Sequence, residues 1–411
     1  MVIRRSSFAR FFPPLLAGAA LFVAAGVQAS EPNAPIEARV EALEDSVELL
    51  NAMGQDAAPP ATPAPARAAK PAHGTGLKTA FVLDTAVAAF RGEPMQVGAH
   101  DPSITGFHLQ QLEMSIAQNV DHLFELKANL VFSAFGVEVE EAYGRTTALP
   151  GRLQLKFGQF LTRMGRLNPT HPHAWSFLDQ PLVNGFFLGP EGSRGAGIEG
   201  SWLLPTPWFL EALVSASDPS GDCCARSFMA GSGLGMEGFA DPLVTMGLRQ
   251  FFDLSTATGL AWGLSAQVGP NATGNGNRSE IYATDIYLRW RPPADPSRQA
   301  LSLTIEAMLR RRQVPGDLLE DAGGYAQLVW TINRRWETGA RVDLVLADPS
   351  DTDSLAGERQ RAAAQLTYRP SHFSRLRLQG SSGRSPERDQ PVLAGMLGVE
   401  LLIGAHGAHK Y

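Results

Sequence analysis

The sequence predicts an all-β protein: a transmembrane antiparallel β-barrel of about 16 strands, preceded by a short periplasmic coiled-coil helix. The first observation is the stretch 122–134, HLFELKANLVFSA, in which even positions from Phe124 to Phe132 are apolar and odd positions are polar, except Val131. A side-chain period of two indicates a strand with one apolar face. The second and third observations are that this pattern recurs along the chain and that long and short connections alternate. In a membrane barrel, the apolar face meets lipid and the polar face lines a wet lumen.

Residues 1–29 have the three parts of a secretory signal peptide. Arg4, Arg5 and Arg10 form a basic start, an apolar run follows from Leu15, and small residues close the segment at Ala29. This order is typical of an exported protein. The alternative is an uncleaved anchor, but the apolar run is short and rich in Ala and Gly for a spanning helix.

Residues 30–53 are predicted to form a coiled-coil helix, and residues 54–76 an Ala/Pro-rich linker. The apolar seam follows the 4-3-4-3 spacing of heptad a and d positions, at Ile36, Val40, Leu43, Val47 and Leu50. So short a helix is marginal alone, which favours association of several copies. The alternative is an ordinary amphipathic helix on another surface. The linker composition predicts a semi-rigid spacer.

The barrel is predicted to occupy residues 77–411. The candidate strands are 77–90, 106–119, 122–135, 137–147, 152–162, 196–205, 207–217, 242–253, 258–268, 281–292, 299–312, 323–333, 335–346, 358–369, 373–381 and 392–411. Their number is even, as in bacterial single-chain barrels.

The connections carry more weight than any single strand. Long polar connections (for example 91–105, 163–195 and 218–241) alternate with tight turns, which favours extracellular loops and periplasmic turns. This phase places both termini and the coiled coil in the periplasm.

Aromatic residues near strand ends indicate interfacial girdles: Trp202, Trp208, Trp290, Trp330, Trp336 and Tyr368. The alternative, a secreted β-sandwich, explains neither feature. The last strand ends on an aromatic residue, Tyr411.

Charge and cysteine content exclude or weaken several other classes. The net charge of −6 makes nucleic acid an unexpected partner. The two cysteines, Cys223 and Cys224, are adjacent, so no long-range internal disulfide can form. Two loop thiols without a function are the favoured interpretation, and a vicinal or interchain bridge is the alternative.

The order of signal peptide, coiled coil, spacer and barrel resembles the trimeric outer-membrane porins with an N-terminal coiled coil, of the phosphate-selective and dicarboxylate type. That resemblance implies a homotrimer in outer-membrane lipid. The segments EVEEAYGRTTALPGRLQLKFGQF and RLNPTHPHAWSFLDQPLVNGFFLGPEGSRGAGIEGSWLLPTPWFLE also resemble a poorly characterised proteobacterial barrel family, sometimes labelled zinc-regulated outer-membrane receptors. A TonB-dependent receptor, which that label implies, does not fit, because residues 30–76 are too short for a plug domain and such barrels have 22 strands.

The third outer connection, 163–195, is expected to fold into the pore as a constriction loop, as the third loop of general porins does. It is rich in aromatic residues and prolines, which indicates a packed loop. Its candidate constriction residues are Arg163, Arg166, His171, His173, Asp179, Glu191 and Arg194. No metal is expected: His171, His173 and Asp179 are weak candidates, because an H-x-H pair with one distant carboxylate lacks a third close ligand. Packing of the two histidines is favoured over metal binding.

The predicted function is diffusion of small polar or charged solutes through an outer-membrane porin. The candidate pore-lining residues are Glu113, Glu125, Lys127, Asn129, Lys156, Asp285, Arg289, Glu306, Arg310, Arg341, Asp343, Arg377 and Glu400. No cofactor or enzymatic activity is expected, since G-x-S-x-G, H-E-x-x-H and P-loop motifs are absent from the sequence. The alternatives are a structural barrel tethered to the periplasm or cell wall and, further behind, a zinc-linked uptake protein or a barrel enzyme.

Overall fold

The computed structural model describes residues 77–133, 136–219, 224–229, 241–293, 298–347, 357–386 and 389–404. The predicted signal peptide (1–29), coiled-coil helix (30–53), linker (54–76) and terminal Tyr411 lie outside the described residues. These segments therefore stay predictions. The candidate strands 122–135 and 137–147 also predict a very short outer turn at residues 135–137; Gly136 and Val137 are strand residues, and residues 134–135 lie outside the described ranges.

The described residues form a closed barrel of sixteen antiparallel strands, which confirms the predicted fold class. In chain order the strands β1 to β16 are Lys78–Arg91, Gly106–Asn119, Phe124–Ser133, Gly136–Thr146, Leu153–Leu161, Arg194–Leu203, Phe209–Ser217, Leu243–Ser255, Thr258–Pro270, Arg278–Trp290, Ala300–Val314, Asp317–Thr331, Trp336–Leu346, Arg359–Ser371, Ser374–Arg384 and Val392–Gly404. Each strand pairs with its neighbours in sequence, and β1 closes the ring on β16, where Leu83 lies opposite Leu401. Closure leaves no sheet edge exposed.

The two faces of the wall differ in the way that the alternation predicts. On β13, Val342 is 57% exposed on the outside, whereas its neighbours Arg341 and Asp343 are 2% and 3% exposed on the inside. Large apolar side chains such as Leu126, Val214 and Leu397 are likewise exposed. An apolar outer band over a polar interior is the arrangement that a lipid environment stabilises.

Aromatic side chains lie beside the short turns at one end of the barrel. Trp202 and Trp208 flank the turn between β6 and β7, and Trp330 and Trp336 flank the turn between β12 and β13. The Trp336 ring packs on Tyr368 of β14, with ring centroids 4.7 Å apart. Rings of this kind favour the boundary between lipid and water. Within the described ranges, no helix is both long and apolar enough to cross a membrane.

One predicted connection is instead part of a long hairpin. Residues 313–322 were expected to lie mainly between strands, but β11 continues to Val314 and β12 begins at Asp317. Pro315 and Gly316 make the two-residue turn, and Gly316 has a φ of 77° that favours glycine. Charged residues here do not break the strands, because cross-strand pairs such as Arg311–Glu320 match opposite charges.

The connection between β5 and β6 folds into the barrel and is here called the lumen loop, residues 162–193. Its α-helix, α1 (Leu182–Phe187), has all six residues buried. Phe186 and Phe187 of α1 belong to an apolar cluster that also contains Ile281 and Val345 of the wall. The largest apolar cluster of the described residues therefore lies between the lumen loop and the barrel wall.

Candidate functional site

The lumen loop is attached to the wall at several points around the barrel. The Gly165 N–H donates to Ser265 Oγ on β9 at 2.8 Å, and the Leu167 N–H donates to the Glu306 carboxylate on β11 at 3.2 Å. The Leu182 N–H donates to Asp343 on β13 at 3.0 Å. Inward wall carboxylates thus accept backbone hydrogen bonds that the buried loop could not otherwise satisfy. These contacts fix the path of the loop across the lumen.

Asp179 is the most strongly bound carboxylate of the lumen loop. It accepts hydrogen bonds from Arg341 on β13 at 2.7 Å, Arg361 on β14 at 2.9 Å and Gln379 on β15 at 2.8 Å. Burial raises the pKa of Asp179, but the two guanidinium groups outweigh burial and hold the pKa at about 2. Asp179 therefore does not complete a metal site with His171 and His173. It is the loop's anion for an arginine pair.

Two arginines at the start of the lumen loop bind carboxylates on β6, β7 and β10, away from the strands that hold Asp179. Arg163 donates two parallel hydrogen bonds to Glu211 on β7, at 2.9 and 3.0 Å, and its Nε lies 3.1 Å from Glu199 on β6. Arg166 stacks on the Tyr287 ring at 4.0 Å and lies 4.0 Å from Asp285. Bidentate guanidinium pairs are directional as well as strong.

The two histidines of the lumen loop are buried against carboxylates of β2 and β4. His171 Nδ1 lies 2.8 Å from Glu140 Oε2, and His171 Nε2 lies 3.0 Å from Glu141 Oε2. His173 Nδ1 lies 2.8 Å from Glu113 Oε2. Burial lowers the pKa of each imidazole, but the facing carboxylates outweigh burial. The pKa of His173 is raised, and that of His171 is raised well above its usual value. The facing carboxylates thus favour the protonated form of each imidazole and connect the loop to the wall.

The remaining two candidates of this loop region also meet opposite charges. Glu191 lies 3.4 Å from His100 of the first long connection. Burial lowers the pKa of His100, but Glu191 outweighs burial and raises the pKa to about 9. Arg194, at the start of β6, forms an ion pair with Glu138 of β4. All seven candidate residues of the loop are therefore engaged with the wall or with another connection.

The thirteen candidate pore-lining residues are distributed around the inner wall, and most contact either the lumen loop or one another. Nine are buried: Glu113, Lys156, Asp285, Glu306, Arg310, Arg341, Asp343, Arg377 and Glu400. Four are half-buried: Glu125, Lys127, Asn129 and Arg289. Their shared burial follows from the inward parity of the strands, and their role in solute passage stays a prediction.

Sequence reasoning missed several partners of these residues. Glu140 and Glu141 are consecutive, so simple alternation would place only one of them inside. A register shift between Asn129 and Leu130 marks a bulge in β4, and both carboxylates point inward. The signal was available, because the polar–apolar alternation of EVEEAY changes phase at these two glutamates. The alternation predicts inward side chains for Arg361, Glu199 and Glu211. Nothing near them in the sequence marks them as partners of the lumen loop.

Cys224 is disulfide-bonded and buried, which differs from the expectation of two loop thiols. Cys223 lies outside the described residues.

A cavity of about 40 Å³ remains between the lumen loop, the first long connection and the wall. Its charged lining residues come from all three: Asp84, His100, Asp101, Glu140, Glu191 and Arg377. Apolar walls are supplied by Trp175, Phe177 and Leu178 of the loop. A space of this size holds water or a small polar group.

Comparisons with known proteins agree on the fold. No family model matches the chain. An uncharacterised protein of Aquifex aeolicus (strain VF5) is 29% identical over 336 residues, 74% of this chain and 70% of that protein. Among solved structures, the outer membrane channel DcaP of Acinetobacter baumannii is 11% identical with a TM-score of 0.52, covering 80% of this chain and 96% of that one. The anion-selective porin of Comamonas acidovorans is 9% identical with a TM-score of 0.51, covering 80% and 99%. OprB of Pseudomonas putida is 11% identical with a TM-score of 0.51, covering 80% and 94%.

The closed antiparallel barrel of sixteen strands is thus shared with outer-membrane porins. The chain has the fold of bacterial outer-membrane porins, and it resembles them at sequence identities that speak only for the fold.

Proposed function

We propose that this protein is an outer-membrane porin through which small polar or charged solutes diffuse, with the lumen loop as the constriction. One observation carries the proposal. The lumen loop crosses the lumen and brings Arg163, Arg166, His171 and Asp179 against an inner wall that is itself charged. Selectivity in such channels follows the charges at the narrowest ring.

In this proposal solutes pass beside the lumen loop, and the water-sized cavity next to β1, β2 and β4 is one part of their path. Acidic and basic side chains both line the cavity. The acidic ones include Asp84, Asp101 and Glu140, and the basic ones are His100 and Arg377. A mixed lining favours small ions and zwitterions over long apolar molecules. The names of two structural neighbours, an anion-selective porin and an outer membrane channel, describe the same kind of activity in barrels of this fold.

The protein assembles as a homotrimer in outer-membrane lipid, with both termini and the coiled coil of residues 30–53 in the periplasm. The heptad seam of that segment supports association of several copies. OmpT of Vibrio cholerae, a barrel at a TM-score of 0.50 and 9% identity, is described in a trimer form. The aromatic band beside the short turns supports placing that end of the barrel at the inner, periplasmic boundary of the membrane.

Liposome swelling tests the proposal. Vesicles containing the purified, full-length protein are diluted into isotonic solutions of small polar solutes of increasing size, with a small amino acid first and a trisaccharide last. A porin gives swelling that is fast for the smallest solute and falls steeply with size. Protein-free vesicles give the baseline. Swelling at the baseline rate for every solute would contradict diffusion through this barrel.

A second function is favoured by a different observation, the near-complete burial of the lumen loop. If the loop stays in place, the barrel is a closed structural element that the linker of residues 54–76 tethers to the periplasm or cell wall. Swelling separates the two functions when it is repeated with residues 165–192 replaced by a short Gly/Ser linker. If the barrel is a closed structural element, vesicles with the full-length protein swell at the baseline rate, and only vesicles with the shortened variant swell faster.

A further inference from the structure

Five side chains form one buried cluster where the lumen loop meets β2 and β4. Glu113 comes from β2, Glu140 and Glu141 from the β4 bulge, and His171 and His173 from the lumen loop. All five are buried. Elsewhere in the lumen, buried carboxylates such as Asp179 are bound by guanidinium groups. Here they face imidazoles, whose nitrogen can offer a lone pair to a metal ion, as a guanidinium cannot.

Three potential ligand atoms of this cluster converge on one point. The carboxylates of Glu113 and Glu140 and a ring nitrogen of His171 all lie within 4.8 Å of one another. His171 Nδ1 lies 2.8 Å from Glu140 Oε2 and 3.8 Å from Glu113 Oε2. Ligands bound to one tetrahedral ion at about 2.1 Å are about 3.4 Å apart. To hold an ion, the His171–Glu140 separation would have to open by about 0.6 Å and the His171–Glu113 separation to close by about 0.4 Å.

The other nitrogen of His171 has the partner that a metal-binding imidazole usually has. Nε2 lies 3.0 Å from Glu141 Oε2 and 2.8 Å from the side-chain amide nitrogen of Asn129. A carboxylate that accepts this second N–H fixes the tautomer and directs the opposite nitrogen at the metal. The β4 bulge makes this possible, because it turns two consecutive glutamates to the same ring. One glutamate faces Nδ1 and the other faces Nε2.

A fourth ligand is within reach. His173 Nδ1 lies 2.8 Å from Glu113 Oε2, and its ring stacks on that of His171 with centroids 5.8 Å apart. Two imidazoles and two carboxylates, without a thiolate, suit borderline divalent ions such as Zn²⁺, Co²⁺ or Fe²⁺ better than Cu⁺. Imidazole ligands also distinguish the cluster from an all-oxygen Ca²⁺ or Mg²⁺ site.

We infer that Glu113, Glu140 and His171 bind a divalent transition-metal ion, with His173 as the fourth ligand and Glu141 orienting His171. Because the ligands come from two wall strands and the lumen loop, the ion clamps the loop to the wall. The inference does not depend on whether the barrel conducts solutes.

Cobalt binding to the chelator-stripped, full-length barrel, prepared without a histidine tag, tests the inference. The wild-type protein is expected to bind one Co²⁺ per chain, with the visible absorption of a four-coordinate ion. His171→Ala and the isosteric Glu113→Gln are expected to weaken binding by at least about tenfold, as is Glu141→Gln through the orientation of His171. Heat-modifiable migration in gels verifies that each variant is a folded barrel. If His171→Ala fails to fold, the two glutamine variants carry the test.

His100→Gln is the matched control, since it removes a buried histidine that also faces a glutamate, at 3.4 Å. It should bind Co²⁺ as the wild type does. Absence of the absorption band from the wild type at stoichiometric Co²⁺ would overturn the inference. Equal binding by the wild type, Glu113→Gln and His171→Ala would overturn it as well, because the ion would then occupy another place.

Discussion

Asp179 of the lumen loop and Arg341 of β13 are joined by a buried hydrogen bond of 2.7 Å between the carboxylate and Nη2. Arg341 Nη1 also donates to the backbone oxygen of Asp179 at 2.9 Å, and its guanidinium lies over the Phe177 ring at 4.7 Å. One wall arginine thus holds the loop through a charge, a backbone group and an aromatic face. This relationship explains how a loop of this length stays inside a barrel.

Asp179→Asn should destabilise the barrel by about 3 kcal/mol, because it leaves two buried guanidinium groups with one carboxylate fewer. The free energy of unfolding, measured in urea by tryptophan fluorescence in lipid vesicles, gives the effect. Glu320→Gln makes the same chemical change in a partly exposed pair with Arg311 and should cost less than about 1 kcal/mol. Equal costs for the two variants would mean that Asp179 does not hold the loop.

Gly165→Ala should loosen the start of the lumen loop. Gly165 has a φ of 62°, and an added Cβ would lie 2.0 Å from Glu306 Oε1. Gly151 is the matched control, since its φ is 72° and nothing lies within 4 Å of an added Cβ. Both alanines carry backbone strain of about 1 kcal/mol or more. Only Gly165→Ala should also expose the loop to protease, so nicking of both variants at the same rate would contradict the close approach.

Val342→Arg tests which face of β13 meets lipid. Val342 is an outward residue well away from the Trp336 end of its strand, so a charge there should cost about 2–4 kcal/mol of folding free energy in lipid vesicles. Val342→Thr keeps the branched shape without the charge and should fold nearly as well as the wild type. If Val342→Arg were tolerated, the register of β13 would be shifted by one residue, because such a shift exchanges the two faces.

The sequence predicts the features that depend on neighbouring residues and misses those that depend on contacts between distant parts of the chain. The strand pattern around Leu126 and the parity of Arg341 and Asp343 are local, because a period of two fixes the face of each residue. The histidine cluster is not local. His171 and His173 are two residues apart, but their carboxylates come from β2 and from a bulge in β4. No spacing in the sequence indicates those contacts. The sequence therefore offers Asp179 as the carboxylate partner of the histidines, whereas the structure places Glu113, Glu140 and Glu141 beside them.

The stability contributed by His100 should depend on pH. Its pKa is raised from about 6.5 to about 9 by Glu191, so the contribution is fully present below pH 6.5 and is lost as the pH rises through 9. The difference in unfolding free energy between the wild type and His100→Gln should therefore shrink across this window, by at most about 1.4 kcal/mol per pH unit. When the same comparison is made in the Glu191→Gln background, the change should be smaller, because only Glu140 and the Gln110 backbone oxygen then raise the pKa of His100. A difference that is flat from pH 6 to pH 9.5 would show that the pair is not an ion pair.

Single-channel recording across a KCl gradient tests most directly whether the lumen loop lines a working passage. The full-length wild type should give discrete conductance steps. Replacing Arg163, Arg166 and Arg194 together by glutamine should move the reversal potential toward cation preference, because three positive charges leave the constriction. The contradicting result is a silent wild type, with large steps only in the variant that lacks residues 165–192, since the barrel would then be a closed structural element and not a porin.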